Sequence, residues 1–242
     1  MPRRRIARIA LRLLHVNVGL ALFGLGIALQ VDAGIGLGPW DAFHEGLSVR
    51  TPLTYGQASI LAGLTILAIS TAMTRMRPGW GTVLNMLAIG PWVDVFRAWP
   101  AFPAATGLLG GALQFAVGLV LTGVATGLYL TAGLGAGPRD GFALALARRL
   151  DVTVRRARTL VEVVVLTSGW LLGGTVGIGT LAFAVAIGPL MQWSLRLWAP
   201  LARGYERSVA ASGPQCTNDP ARSAGGVRMD EVRDRPRGEE EA

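Results

Sequence analysis

The sequence predicts an all-α, multi-pass transmembrane protein: six helices arranged as two inverted three-span repeats, with short half-helices after spans 1 and 4. Three observations predict it. Apolar runs of bilayer-crossing length recur along the chain, a Gly-x-Gly-Pro-x-Asp phrase is written twice, and arginines gather in alternate segments between the runs.

The runs set the class. The chain has 242 residues, 51% of them hydrophobic and 16% charged, with a net charge of +8. A soluble domain carries about 25% charged residues. The charges collect at the termini and in short segments, leaving apolar runs at roughly 12–31, 55–74, 81–99, 107–130, 159–173 and 178–196. About 20 such residues cross ~30 Å of hydrocarbon as a helix. The fifth run is the shortest and has room to begin earlier. The first follows Arg3, Arg4, Arg5, Arg8 and Arg12, as a secretory signal would. Its apolar part outruns an h-region of about 7–15 residues, so it is read as a retained span. The lone cysteine, Cys216, lies in the polar C-terminal segment and excludes an internal disulfide.

The arginines fix the expected topology. Of 23 basic residues, 21 fall in the N-terminus, the second and fourth loops and the C-terminal part, while Arg50 and Arg97 alone occupy the first and third loops. The positive-inside rule then predicts cytoplasmic N- and C-termini, which requires an even number of spans. The basic surplus, including "RRLDVTVRRAR" at 148–158, marks membrane edges near anionic headgroups. It does not indicate a nucleic-acid partner.

The doubled phrase predicts the repeat. "GLGPWDAFHEGL" at 36–47 is echoed by "GAGPRDGFALAL" at 135–146, a shift of 99 residues. The same register aligns Gly19 with Gly118, Gly24 with Gly123 and Thr54 with Thr153. With one residue removed, "GWGTVLNMLAIGP" (79–91) falls on "GIGTLAFAVAIGP" (177–189). A unit of three spans is odd, so its second copy enters the membrane from the opposite face, as in many secondary transporters whose sites lie where the halves meet. The chain thus divides into a first membrane repeat at 1–106, an inverted second at 107–202, and a polar tail at 203–242. The tail's composition predicts a disordered cytoplasmic segment.

Within the phrase, Gly36 and Gly38, matched by Gly135 and Gly137, are expected to turn the chain with positive φ. Pro39 and Pro138 are expected at first helical positions. Asp41 and Asp140 then fall in the first turn, at the positive dipole end. Helices over Pro39–Val49 and Pro138–Leu150 would be about 18 Å long, too short to span. They either lie along the interface or enter as half-helices whose N-termini hold an anion or polar group. Arg139 is expected to pair with its neighbour Asp140, leaving Asp41 without such a partner. Pro91 and Pro189 inside spans three and six each free the carbonyl four residues back, at Leu87 and Val185, as a static kink or a hinge.

Polar groups inside spans complete the candidates. Glu162 precedes "VVVL", with Arg158 one turn earlier as a partner. Asn85, Gln114, His15 and Asn17 are expected to bridge helices. The candidate solute-binding residues are therefore Asp41, Asp140, Arg139, Glu162 and Asn85. His44 and Glu45 have no counterparts in the second phrase and are too few for a metal site. No catalytic motif, metal ligand set or cofactor fingerprint is legible.

These segments, "GLGPWDAFHEGLS", "GWGTVLNMLAIG", "GLGAGPRDGFALALARRL" and "GWLLGGTVGIGTLAFAVAIGPL", resemble the bacterial integral membrane proteins of the YczE type, related to the wider YitT group. The likeness covers about residues 10–200. It implies a multi-pass plasma-membrane protein and carries no substrate or catalytic residue. The expected function is a small-solute transporter or permease and not an enzyme. The alternative is a non-transporting accessory protein. Expected partners are the lipid bilayer, a small solute, and either a second copy or another membrane protein.

Overall fold

The computed structural model describes residues 2–74, 79–103, 105–131 and 138–210. These form eight helices and no strand: α1 (Pro2–Ala33), α2 (Pro39–Arg50), α3 (Tyr55–Thr74), α4 (Trp80–Arg97), α5 (Gly107–Leu130), α6 (Pro138–Leu150), α7 (Val154–Leu171) and α8 (Ile178–Ala210). By contact clustering the chain divides into Met1–Tyr205 and Glu206–Ala242, and the helices are described here within the first unit.

Every predicted apolar run is a helix, and α3 and α5 coincide with the predicted 55–74 and 107–130. The fifth run starts earlier, at Val154, because Thr153 caps it and its Oγ1 accepts from the Arg156 amide at 3.4 Å. α8 continues through 203–210, residues that composition assigned to the tail; the rest of that tail lies outside the described residues. Four helical stretches are long and apolar enough to cross a membrane: Ala10–Ala33, Tyr55–Met73, Gly107–Leu130 and Ile178–Ala202. α4 and α7, 18 residues each, are not among them. Charges lower their hydropathy, Asp94 and Arg97 in α4 and Arg155, Arg156, Arg158 and Glu162 in α7.

Both short helices start at the expected proline, Pro39 and Pro138. The turn before α2 differs from expectation in one respect. Positive φ occurs at Gly34 (+64°) and Gly36 (+124°), whereas Gly38 is an extended N-cap with φ −62° and ψ 158°. Gly38 is small for another reason: a Cβ there would stand 2.8 Å from the Phe183 ring. Gly135 and Gly137, the matching glycines, lie outside the described residues.

α1 packs on α5 and α4, and α3 packs on α4. The short helices cross over: α2 rests on α7 as well as on α3, and α6 rests on α3 as well as on α7. Lipid tails are as apolar as leucine, so such contacts depend on close van der Waals fit. Small residues supply it. A Cβ on Gly26 would lie 2.7 Å from the Gly118 carbonyl oxygen, and one on Gly118 2.6 Å from that of Gly26. Side chains predicted to bridge helices do so: Gln114 Nε2 donates to Leu29 O (3.2 Å), Trp92 Nε1 to Asn17 Oδ1 (3.3 Å), and His15 Nε2 meets Leu128 O (2.6 Å).

The outer faces of α3, α7 and α8 expose Leu61, Leu64, Val163, Val164, Leu181 and Val185. In a soluble monomer apolar surface on this scale would be anomalous; against lipid it is ordinary. Pro91 and Pro189 sit inside α4 and α8 on exposed positions, as do Leu87 and Val185.

Candidate functional site

The loop from Gly34 to Gly38 brings α2 inward because the turn between α7 and α8 holds it. Leu37 N donates to Thr175 O (3.1 Å) and Gly179 N donates to Ile35 O (2.9 Å). Glu45, one turn into α2, accepts from Thr175 N at 2.6 Å. On the far side of α2, Gly46 lies against Gly169, where a Cβ would be 2.5 Å from the Gly169 oxygen. A side chain larger than hydrogen at either place would push the helix off α7.

Held this way, α2 buries Trp40, Asp41 and His44. Asp41 does not act as a simple helix-start charge. Its Oδ1 accepts from the Tyr55 hydroxyl at the start of α3 (2.9 Å) and faces Arg139 Nη2 of α6 (3.8 Å) and His44 Nδ1 (4.0 Å). The expectation that Asp41 lacks a cationic partner is thus corrected: Arg139 reaches across from the other short helix. The Arg139 guanidinium also stacks over Trp40, 5.1 Å from the ring centroid. Trp40 and Arg139 are the matching residues of the two phrases, so the short helices meet at their N-terminal turns. Pro138 and Asp140 belong to α6, but their side chains lie outside the described residues, as does any Arg139–Asp140 pairing.

These groups border a cavity of about 230 Å³. Four predicted candidates line it together: Asp41, Asn85, Arg139 and Glu162. Asn85, expected both to bridge helices and to be a candidate solute-binding residue, lies in the cavity wall. Glu162 is paired as predicted, its Oε1 accepting from Arg158 Nε at 2.9 Å one turn away. The wall also carries Arg158, Ser59, Thr122 and Thr126, and an apolar and aromatic part made by Phe23 of α1, Tyr129 of α5 and Phe183 and Ile187 of α8. The cavity is smaller than the ~300–1,000 Å³ usual for drug-sized ligands.

Burial dominates the electrostatics of the α2 groups, which lie outside the four spans. It pushes the Asp41 carboxyl above the usual carboxylate range, with Arg139 and the Tyr55 hydroxyl pulling it back. Burial and the nearby Arg139 guanidinium together hold the His44 imidazole well below its usual range, so it is neutral. Its Nδ1 is buried without a hydrogen-bond partner. Sequence reasoning missed Tyr55 and set His44 aside. The available signal was weak: a tyrosine opening an apolar run, and a histidine one turn after the phrase's aspartate.

A model of the "Family of unknown function (DUF6198)" matches residues 10–196. The chain belongs to this family. It is 35% identical over 188 residues to the uncharacterised membrane protein YczE of Bacillus subtilis, covering 77% of this chain and 86% of that one. A Haemophilus influenzae protein is 34% identical over 182 residues, covering 75% and 82%. YyaS of Bacillus subtilis is 29% identical over 185 residues, covering 75% and 90%. No solved structure matches the chain. Family likeness and four bilayer-length apolar helices agree: this is an integral membrane protein.

Proposed function

We propose that this protein is a small-solute transporter or permease of the bacterial plasma membrane, and not an enzyme. In this proposal it is built as two inverted three-span repeats whose half-helices α2 and α6 enter from opposite faces and meet at the solute site. The observation that carries the proposal is the convergence of Trp40 and Asp41 from one phrase with Arg139 from the other on one cavity.

The packing pattern supports a pseudo-two-fold relation. Exchanging α1–α4 for α5–α8 turns the α2–α7 contact into α6–α3, and α2–α3 into α6–α7. Gly24, whose Cβ would meet Trp92, corresponds to Gly123, whose Cβ would meet Leu190. Inverted repeats with broken helices at their centre are a recurrent solution for alternating access. The arginine distribution supports cytoplasmic termini.

Substituted cysteines in a Cys216→Ser background test this. Single cysteines at 38–45 and 139–146 are expected to react with small aqueous thiol reagents, some from each side of the membrane. Uniform unreactivity from both sides would remove the solute path and leave the accessory-protein reading.

A further inference from the structure

We propose that the cavity binds a small organic anion, its carboxylate seated between the Arg139 guanidinium and Nδ1 of His44 and its apolar body lying on Phe23, Phe183 and Ile187. This rests on reading the cavity as a solute site and names the class of solute.

The two cations of the cavity differ in commitment. Arg158 is joined to Glu162 at 2.9 Å. Arg139 stands 3.8 Å from Asp41 Oδ1, beyond hydrogen-bond distance, with its side chain 35% exposed. Stacking on Trp40 holds the guanidinium plane in place, and a held plane presents a fork of donors that matches a carboxylate. Asp41 Oδ1 accepts its hydrogen bond from Tyr55, not from Arg139.

His44 supplies the independent observation. The residue is 3% exposed, borders the cavity, and leaves Nδ1 without a hydrogen bond. Buried polar groups are rarely left so. Asp41 Oδ1, at 4.0 Å, is too far to satisfy it. In the tautomer protonated at Nδ1, a neutral imidazole donates one hydrogen bond. A carboxylate oxygen near Arg139 Nη2 would accept it. The positive end of α2, whose Gly38 and Pro39 also border the cavity, favours the same charge.

The full-length protein, purified in nanodiscs, is titrated calorimetrically with benzoate, benzamide and benzylammonium, close in shape and differing in charge. Acetate and butyrate vary the apolar body. Benzoate is expected to bind about tenfold or more tighter than the other two aromatic probes. Arg139→Gln is expected to weaken benzoate about tenfold or more, Arg139→Lys less, and His44→Ala several-fold. Asp41→Asn keeps an acceptor for Tyr55 and removes a competing carboxylate, so benzoate binds as well or tighter. The inference is overturned if benzylammonium or benzamide matches benzoate, if no carboxylate binds at millimolar concentration, or if Arg139→Gln retains benzoate with an unchanged melting curve. Should Arg139→Gln fail to fold, the probe comparison on the unmodified protein and Arg139→Lys decide. Benzoate binding without flux in proteoliposomes supports the anion site and ends only the transporter reading. Flux of an amine or neutral solute that is insensitive to Arg139→Lys ends only the anion site.

Discussion

α2 and α6 begin with the same phrase and do chemically opposite things. α2 buries an acid, an imidazole and an indole. α6 brings one guanidinium to the meeting point, and its buried residues are Ala143, Ala145 and Ala147. The phrase occurs twice, but it carries Trp40 in one place and Arg139 in the other. Glycine and proline dictate how a chain turns and where a helix starts, so they recur in both phrases. Side chains at the centre face each other across the meeting point, where identical charges would repel. A tryptophan opposite an arginine, and an aspartate opposite that same arginine, stabilise the contact that two matching arginines would not.

The largest expected effect breaks the turn that makes α2 possible. Gly36 has φ +124°, and a Cβ there would lie 2.7 Å from Gly177 N and 2.9 Å from Thr180 N. Gly36→Val adds backbone strain to overpacking, together about 2–5 kcal/mol, so the yield of monodisperse protein and its melting temperature should collapse. Gly38→Val meets only the Phe183 ring, which can shift, and should cost about 1–3 kcal/mol in the same assay.

Tyr55→Phe sharpens the comparison within the site. It removes the hydrogen bond to Asp41 and should cost about 1–3 kcal/mol, the range for leaving a buried polar group unpaired. Chemical denaturation in mixed micelles reads this. Asp41→Asn, which retains an acceptor, should cost clearly less than Tyr55→Phe. An equal or larger loss would show that the Arg139 charge, not Tyr55, governs Asp41.

The helix starts of α3 and α7 offer a finer contrast. Thr54 Oγ1 accepts from Gln57 N (3.1 Å) and donates to Asp94 Oδ2 (2.6 Å), while Gln57 Oε1 accepts from Thr54 N (3.1 Å). Thr153 Oγ1 accepts from Arg156 N at 3.4 Å. Removing a cap costs about 0.5–2 kcal/mol, so Thr54→Ala should fall near the top of that range and Thr153→Ala near the bottom. Equal shifts in melting temperature would mean that the capping box and Asp94 add nothing. Gly34→Ala falls between the two cap removals. Its φ is +64° with open space around it, leaving only the left-handed backbone penalty of about 1 kcal/mol.

Much of the fold was legible because the relevant signals are local. Gly-Pro marked both short-helix starts at Pro39 and Pro138. Apolar length marked α3 and α5, and an Arg158–Glu162 spacing of one turn put that pair on one face. Legibility ended where contacts join distant segments. Asp41 was expected to lack a cation and Arg139 to choose its neighbour Asp140, since adjacency is what a sequence displays. The Arg139–Trp40 stack and the Tyr55–Asp41 hydrogen bond both join helices that follow one another only through loops or lie far apart in the chain.

The sequence by itself determined that the chain lives in a membrane, where its two short helices begin, and that one glycine–proline phrase opens both of them. Hydrophobic length and glycine–proline placement act on a few consecutive residues, and no tertiary partner is needed for them to operate. Only the tertiary structure decided which polar groups face one another. That choice follows from the packing of α2 onto α7 and of α6 onto α3. Packing of glycine on glycine brings the helices close enough for a single guanidinium to meet an aspartate, an indole and an unpaired imidazole nitrogen around one cavity.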